Sequence, residues 1–339
     1  MSFLFQPLSI GDLNLKNRVV MAPMCMYKAV DGMVNEWHLI HYTTRAIGGV
    51  GLIIVEATAV ELSGRISKDD LGLWSDEQIE GHRILVQSIH GQGAKVGVQL
   101  GHAGRKANVG YGRVIGPSEV AFNETYRTPE AMSEQEIKDT VEHFKQAAER
   151  ALEAGYDVVE LHGAHGYLIN QFLSPLTNYR TDAYGGDLEH RSRFLIEIIQ
   201  AVRMVWRAPK PLIIRFSAEE YQVGGNTVAE IIEVCNQVKA MGVDVAHISS
   251  GGVVDVGVKT YPGYQVGFSA EIRRNTQLMT IAGGLVTEAH QANEILSDQS
   301  ADLIFMGREL LRNPYWCLHA AKALGAEVSW PAPYERAKL

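Results

Sequence analysis

Eight short apolar runs recur along the chain, and amphipathic stretches lie between them. The runs cover 18–23, 50–57, 94–100, 156–161, 211–217, 243–249, 277–283 and 301–307. Most of their positions are β-branched or otherwise apolar, as in strands buried on both faces. The spacing between them predicts helices. The clearest is 133–155: Ser133 and Glu136 have capping-box spacing, apolar residues recur at the helical period, and Gly155 marks the stop. Residues 188–206, 228–241, 287–296 and 309–324 follow the same logic. Eight β-then-α units in series most simply close into a single α/β domain, a (β/α)8 TIM barrel spanning 1–339. A doubly wound sheet is the competing architecture, but no second domain or break in strand order is visible.

Three segments fall outside the repeat. Residues 1–15 read as a hairpin around Gly11-Asp12, placed to plug the barrel floor. Residues 101–132, after the third strand, are rich in glycine and polar residues and read as a lid-like insertion. The tail 325–339 carries Pro331 and Pro333; it either reaches a neighbouring subunit or frays.

Bulk chemistry narrows the function. The net charge is −8 and no basic stripe is present, which argues against a nucleic-acid partner. No apolar run approaches the ~20 residues that span a membrane, and the N-terminus lacks a signal-peptide pattern. The cysteines Cys25, Cys235 and Cys317 are far apart with no CxxC, which argues against a zinc ribbon, an iron–sulfur site or a disulfide framework. The expected compartment is a reducing cytoplasm.

Barrel chemistry sits at the C-terminal ends of the strands. There the chain places Pro23-Met24-Cys25-Met26-Tyr27, Glu56-Ala57, Gln99 with His102, His162 with His165 and Tyr167, Arg215, Ser249-Ser250, Gly283-Gly284 and Gly307-Arg308. Glycines after the seventh and eighth strands let backbone N–H groups approach a phosphate, and Arg308 adds a bidentate donor. The bland alternative is tight turns and a surface charge. Arg215 lies in an otherwise apolar strand, and a buried cation needs a partner. That partner is either a carboxylate, Glu56 or Glu160, or the electron-rich N1–C2=O edge of a reduced flavin. Gln99 suits a pyrimidine edge, which offers both donors and acceptors, or is a satisfied core amide. Cys25 reads as a thiol that contacts a cofactor and tunes its potential rather than as a nucleophile. Two imidazoles and a phenol at one strand end can hold an oxygen that gains negative charge and deliver a proton beside it. His162 and His165 also admit a metal, but no HxH follows the first strand and no carboxylate ligand stands at the last. No metal is expected.

These segments resemble the Old Yellow Enzyme family of FMN-dependent ene-reductases, in its thermophilic-like bacterial branch of the Bacillus NADPH dehydrogenase type. The likeness runs from Leu4-Phe5-Gln6-Pro7 to Tyr334-Glu335-Arg336. It is carried by Ala22-Pro23-Met24-Cys25-Met26-Tyr27, by Gln99 to Arg105, by His162-Gly163-Ala164-His165-Gly166-Tyr167, and by Phe172-Leu173-Ser174-Pro175. Asn178 to Asp182, Tyr184-Gly185-Gly186 and Gly307-Arg308 add to it. The resemblance implies that Pro23, Met24, Cys25, Ala57, Gln99 and Arg215 line the isoalloxazine of FMN. It implies that Gly283, Gly284, Gly307 and Arg308 hold its phosphate. His162 and His165, assisted by Tyr27, would bind a substrate carbonyl, and Tyr167 would donate the proton. Arg336 would enter the active site of a neighbouring subunit in a homodimer or homotetramer. NADPH would reduce the flavin, and hydride from its N5 would then reduce an α,β-unsaturated carbonyl compound, with nitro compounds and electrophile detoxification as extensions.

Three rivals remain in view. A dienoyl-CoA reductase-like flavoenzyme would need cluster cysteines and further domains. A metal-dependent barrel hydrolase would use His162 and His165 and be colourless. A flavin-binding redox sensor built on Cys25 would be yellow yet inert toward an enone.

Overall fold

The structure, a computed structural model, describes residues 2–110 and 112–338. Met1, Tyr111 and Leu339, which fall within the expected hairpin, insertion and tail, lie outside the described residues. The chain opens with an antiparallel hairpin, β1 (Leu8–Ile10) and β2 (Leu13–Leu15), followed by β3 (Val19–Met21) and α1 (Glu36–Ile47). Next come β4 (Leu52–Ala59), α2 (Ile79–His90) and β5 (Lys95–Gly101). The insertion contributes two short paired strands, β6 (Ile115–Gly116) and β7 (Glu130–Ala131), before α3 (Glu134–Ala154). Then follow β8 (Val158–Gly163), α4 (Leu168–Leu173), α5 (Leu188–Val205), β9 (Leu212–Ser217), α6 (Val228–Ala240) and β10 (Val245–Ser249). The last units are α7 (Val266–Thr276), β11 (Met279–Ala282), α8 (Ala289–Ser297), β12 (Leu303–Met306), α9 (Arg308–Arg312) and α10 (Trp316–Ala323).

Strands β3, β4, β5, β8, β9, β10, β11 and β12 pair in that order, all parallel, and β12 returns to β3 to close the barrel. All eight expected strands form, each within about two residues of its expected bounds. Closure explains why those runs are apolar throughout, because alternate residues bury on opposite faces. Val159, Leu161, Ile214 and Phe216 pack outward among the helices, whereas Val158, Ile213, Val245, Ile281 and Leu303 fill the interior. Ile10, Leu13 and Leu15 of the hairpin join that interior cluster, so the barrel floor is apolar and closed.

The helices start and stop where their caps dictate. Ser133 and Glu136 bond reciprocally at the start of α3, and Gly155 ends it with φ 91°, a conformation open to glycine. The helix expected over 309–324 is two, α9 and α10, separated at Asn313-Pro314-Tyr315. Pro314 has no N–H for the helical ladder, and its ring disfavours a helical residue before it.

One irregularity matters for the site. Val55 is level with Val98 and Ala57 with Gln99, so Glu56 is an extra residue, a bulge in β4. The bulge turns Glu56 out of the interior toward α1. There its Oε1 accepts from Tyr42 Oη at 3.1 Å and its Oε2 from the Met26 amide at 2.7 Å.

Candidate active site

The interior alternation carries through to the rim, where apolar side chains give way to polar ones. Gln99 on β5 is level with Glu160 on β8, His162 on β8 with Arg215 on β9, and Arg215 with His247 on β10. Every one of these residues is at most 8% exposed. A period of two on four neighbouring strands therefore gathers five polar residues in the upper interior of the barrel.

His162, His165 and Tyr167 cluster tightly. The ring centroids of His162 and His165 are 5.2 Å apart, and those of His162 and Tyr167 4.7 Å. Their order comes from an irregular turn in which His165 takes φ 58° and Gly166 φ 75°. That strain persists because the surroundings hold it. Ser217 Oγ accepts the His165 amide at 2.9 Å, Asn170 Oδ1 accepts the Gly166 amide at 2.8 Å, and Gln171 Nε2 donates to the Gly166 carbonyl at 2.7 Å. Lys106 Nζ, from the insertion, donates to the His165 carbonyl at 2.9 Å and lies 5.2 Å from the centre of the Tyr167 ring. Burial brings the Lys106 pKa down to about 8, with neighbouring Arg105 adding to the shift.

Hydrogen bonding sets the proton position on His162. His162 Nδ1 accepts the Ala164 amide at 3.3 Å, which leaves the proton on Nε2. Ser249 Oγ accepts from Gln265 Nε2 at 3.1 Å and lies 2.6 Å from His165 Nε2. The hydroxyl keeps both its proton and a second lone pair for His165, so this contact is compatible with either imidazole tautomer. Burial, reinforced by the Arg215 charge, lowers both imidazole pKa values well below 6.5. Burial raises the Tyr167 phenol well above 10, with Cys25 and Tyr27 nearby adding to it. All three groups are neutral near pH 7 and each carries a proton.

Beside this cluster a cleft of about 280 Å³ runs from His165 and Arg215 to Gly284, Gly307 and Arg308. Its far end suits an anion. A Cβ on Gly283 would come within 2.6 Å of the Phe305 carbonyl, and one on Gly284, which has φ 93°, within 2.8 Å of the Tyr264 ring. Only glycine leaves that backbone approachable. Gly307 immediately precedes α9 as its N-cap, and a Cβ there would meet Met24 Sδ at 3.3 Å. Arg308 is exposed at the cleft edge.

Arg215 departs from the carboxylate expectation: it forms no ion pair among the described residues. Glu56 is turned away by the bulge, and Glu160 binds Gln99 Nε2 at 2.7 Å and His247 Nδ1 at 2.7 Å. The Arg215 guanidinium stacks 5.5 Å from the centre of Phe305, and its buried Nε has no partner. An unpaired guanidinium and a glycine cradle along one cleft fit a cofactor with an electron-rich ring system and a phosphate, as FMN has.

The first strand's residues take up the near side. Pro23 is buried, Met24 Sδ lies over Gly307, and Cys25 lies beside Tyr27. Burial, then Asp70 and Glu56, push the Cys25 thiol far up, so it is a neutral thiol rather than a thiolate. Ala57 shares a recess with His162 and Tyr167. Arg336 does not join the others. It is exposed in the turn Ala332–Ala337, which rests on Tyr315 through Tyr334. Lys106, Ser217, Ser249 and the Glu160–His247 pair are the partners that local spacing does not assign. The one signal for the last pair is a polar residue at an interior register of a buried strand.

These features define a class: a barrel oxidoreductase built around a flavin. Comparison with known proteins narrows it. Residues 3–327 match the NADH:flavin oxidoreductase / NADH oxidase family. An NADPH dehydrogenase of Geobacillus sp. (strain WCH70) is 52% identical, covering 99% of this chain and 98% of that protein. The solved structure of morphinone reductase superposes with a TM-score of 0.84 at 32% identity, covering 98% of this chain and 92% of that one. A 2-naphthoyl-CoA reductase superposes at 0.90 with 25% identity over 96% of this chain, which spans about half (52%) of that longer one. The chain belongs to this family of FMN oxidoreductases, the Old Yellow Enzyme family. FMN is its cofactor.

Proposed function

We propose that the protein is an NADPH-dependent ene-reductase that reduces the activated C=C bond of α,β-unsaturated aldehydes and ketones. The observation that carries this reading is the neutral, proton-bearing trio His162, His165 and Tyr167 at one edge of the flavin cleft. Pro23, Met24, Cys25, Ala57, Gln99 and Arg215 would line the ring of FMN, and Gly283, Gly284, Gly307 and Arg308 its phosphate. Bound there and reduced by NADPH, FMN supplies hydride to the β carbon of the alkene.

The remaining work falls to the chain. His162 donates through Nε2–H, and His165 through Nδ1–H in the tautomer where Ser249 donates to its Nε2, to the substrate carbonyl oxygen as it gains negative charge. Because both imidazoles are already neutral, they polarise the oxygen without losing protons to it. Preorganised donors of this kind contribute roughly 3 kcal/mol each to a transition state. Tyr167, its proton tightly held by burial, protonates the α carbon once that carbon is basic enough to take it. Lys106 keeps the His165 carbonyl in place and sets a cation beside the phenolate left behind. The insertion that carries Lys106 would act as a lid, Tyr27 would steady the substrate oxygen, and Arg336 would reach the equivalent site of a neighbouring subunit. Nitro compounds fit the same donors.

The two half-reactions of Tyr167→Phe test this directly. Flavin reduction by NADPH should stay near wild type, while reoxidation by cyclohexenone should slow by at least about a hundredfold, the usual worth of a general acid. Equal slowing of both halves would remove Tyr167 from the proton-donor role.

A further inference from the structure

Glu160 is fully buried in the barrel interior, on a strand whose other interior residues are Val158 below it and His162 above. Such a carboxylate persists only where donors and a counter-charge surround it. The donors are Gln99 Nε2 and His247 Nδ1, each at 2.7 Å. The counter-charge is Arg215, on the strand beside β8, whose own protonation burial opposes and Glu160 favours. A carboxylate has no proton to give. Gln99 must therefore turn its amide nitrogen to Glu160, which sends its carbonyl oxygen the other way. His247 likewise spends Nδ1–H on Glu160, and its Nε2 is left buried without a partner.

We propose that Glu160 is a positioning residue of the flavin site: it fixes the face that Gln99 turns to the cofactor and supplies the negative charge against which Arg215 is held. The inference rests on the placement of the flavin ring against Gln99 and Arg215. With Glu160 in place, Gln99 offers an acceptor matched to a ring N–H, and Arg215 offers a cation matched to the electron-rich edge. Without it, the Gln99 amide is free to rotate and the guanidinium is left as an uncompensated charge.

The test measures the midpoint potential of the holoenzyme and its dissociation constant for FMN, beside the thermal midpoint as a check on folding. Glu160→Gln should raise the potential, because a buried negative charge no longer opposes the added electrons, and should weaken FMN binding at least tenfold. Glu160→Asp keeps the charge but shortens the reach to Gln99. Its potential should stay near wild type while its FMN affinity falls, and it carries the test alone if Glu160→Gln does not fold. Gln99→Ala and Arg215→Lys serve as controls for the flavin placement. If they shift both quantities while the Glu160 variants match wild type, the positioning role is overturned and the flavin placement stands. If the two controls also match wild type, the placement falls and the inference with it.

Discussion

Glu56 offers a quantitative check on how the bulge in β4 shapes the site. Its carboxyl is 1% exposed and ties the Met26 amide to Tyr42 on α1. Burial raises its pKa from 4.5 to about 7, against the opposing pull of the Met26 amide and the Tyr42 hydroxyl. A carboxyl whose folded pKa is raised stabilises the fold below its unfolded pKa, and that contribution is lost as pH rises through the folded value. For the pair 4.5 and about 7, linkage gives a loss of about 2 kcal/mol between about pH 5.5 and about pH 8.5. Glu56→Gln keeps the shape and an acceptor for the Met26 amide, meets the Tyr42 hydroxyl with an amide nitrogen that donates where the carboxyl oxygen accepts, and does not titrate. His38 and His41, the nearest imidazoles, are held at about 4 and about 3 by burial and remain neutral across this window. Other titrating groups, such as Glu220 with its pKa raised to about 6, are common to both proteins and cancel in the comparison. Urea unfolding of the FMN-saturated proteins at both pH values should show the variant gaining about 2 kcal/mol on wild type at the alkaline end. Stability curves that run parallel would mean that Glu56 is not a buried neutral acid held behind the bulge.

Replacing His162 and His165 together with alanine should weaken binding of phenols, whose oxygen mimics an enolate, by about a hundredfold or more, as read by flavin absorbance titration; unchanged affinity would remove both from the oxyanion role. Gly283→Ala forces a Cβ onto the Phe305 carbonyl, so FMN release should rise at least about tenfold, measured by fluorescence of the freed flavin, whereas wild-type retention would place the phosphate elsewhere. Arg336→Ala should raise the KM for enones with kcat nearly unchanged if the tail enters a neighbouring subunit, and a protein that is monomeric by light scattering would exclude that contact.

The barrel is legible in the chain because its strands declare themselves locally. Runs of β-branched residues, the Ser133–Glu136 cap and Gly155 each act within a few residues of themselves. Helices α1 and α7 are less so, since histidine, threonine and tyrosine in Glu36–Ile47 and the glycine-rich stretch 251–263 before Val266–Thr276 blur the period. Pro314 does mark the break between α9 and α10, and the apolar period on either side conceals it.

Within the site, the amino-acid order alone determines that His162, His165 and Tyr167 meet, because they share one strand end and its turn. It also determines that glycines follow the seventh and eighth strands. The partners of those residues are another matter. That Arg215 forms no ion pair among the described residues, that Glu56 faces α1, that Ser249 and Lys106 bond the ring and carbonyl of His165, and that Glu160 joins Gln99 to His247 depend on contacts or registers across the fold, the named hydrogen bonds joining residues 14 to 87 positions apart. Strand stagger on closing the barrel, and a one-residue bulge, decide which interior side chains stand level. A local period of two says which face a residue takes, but only closure says what it faces.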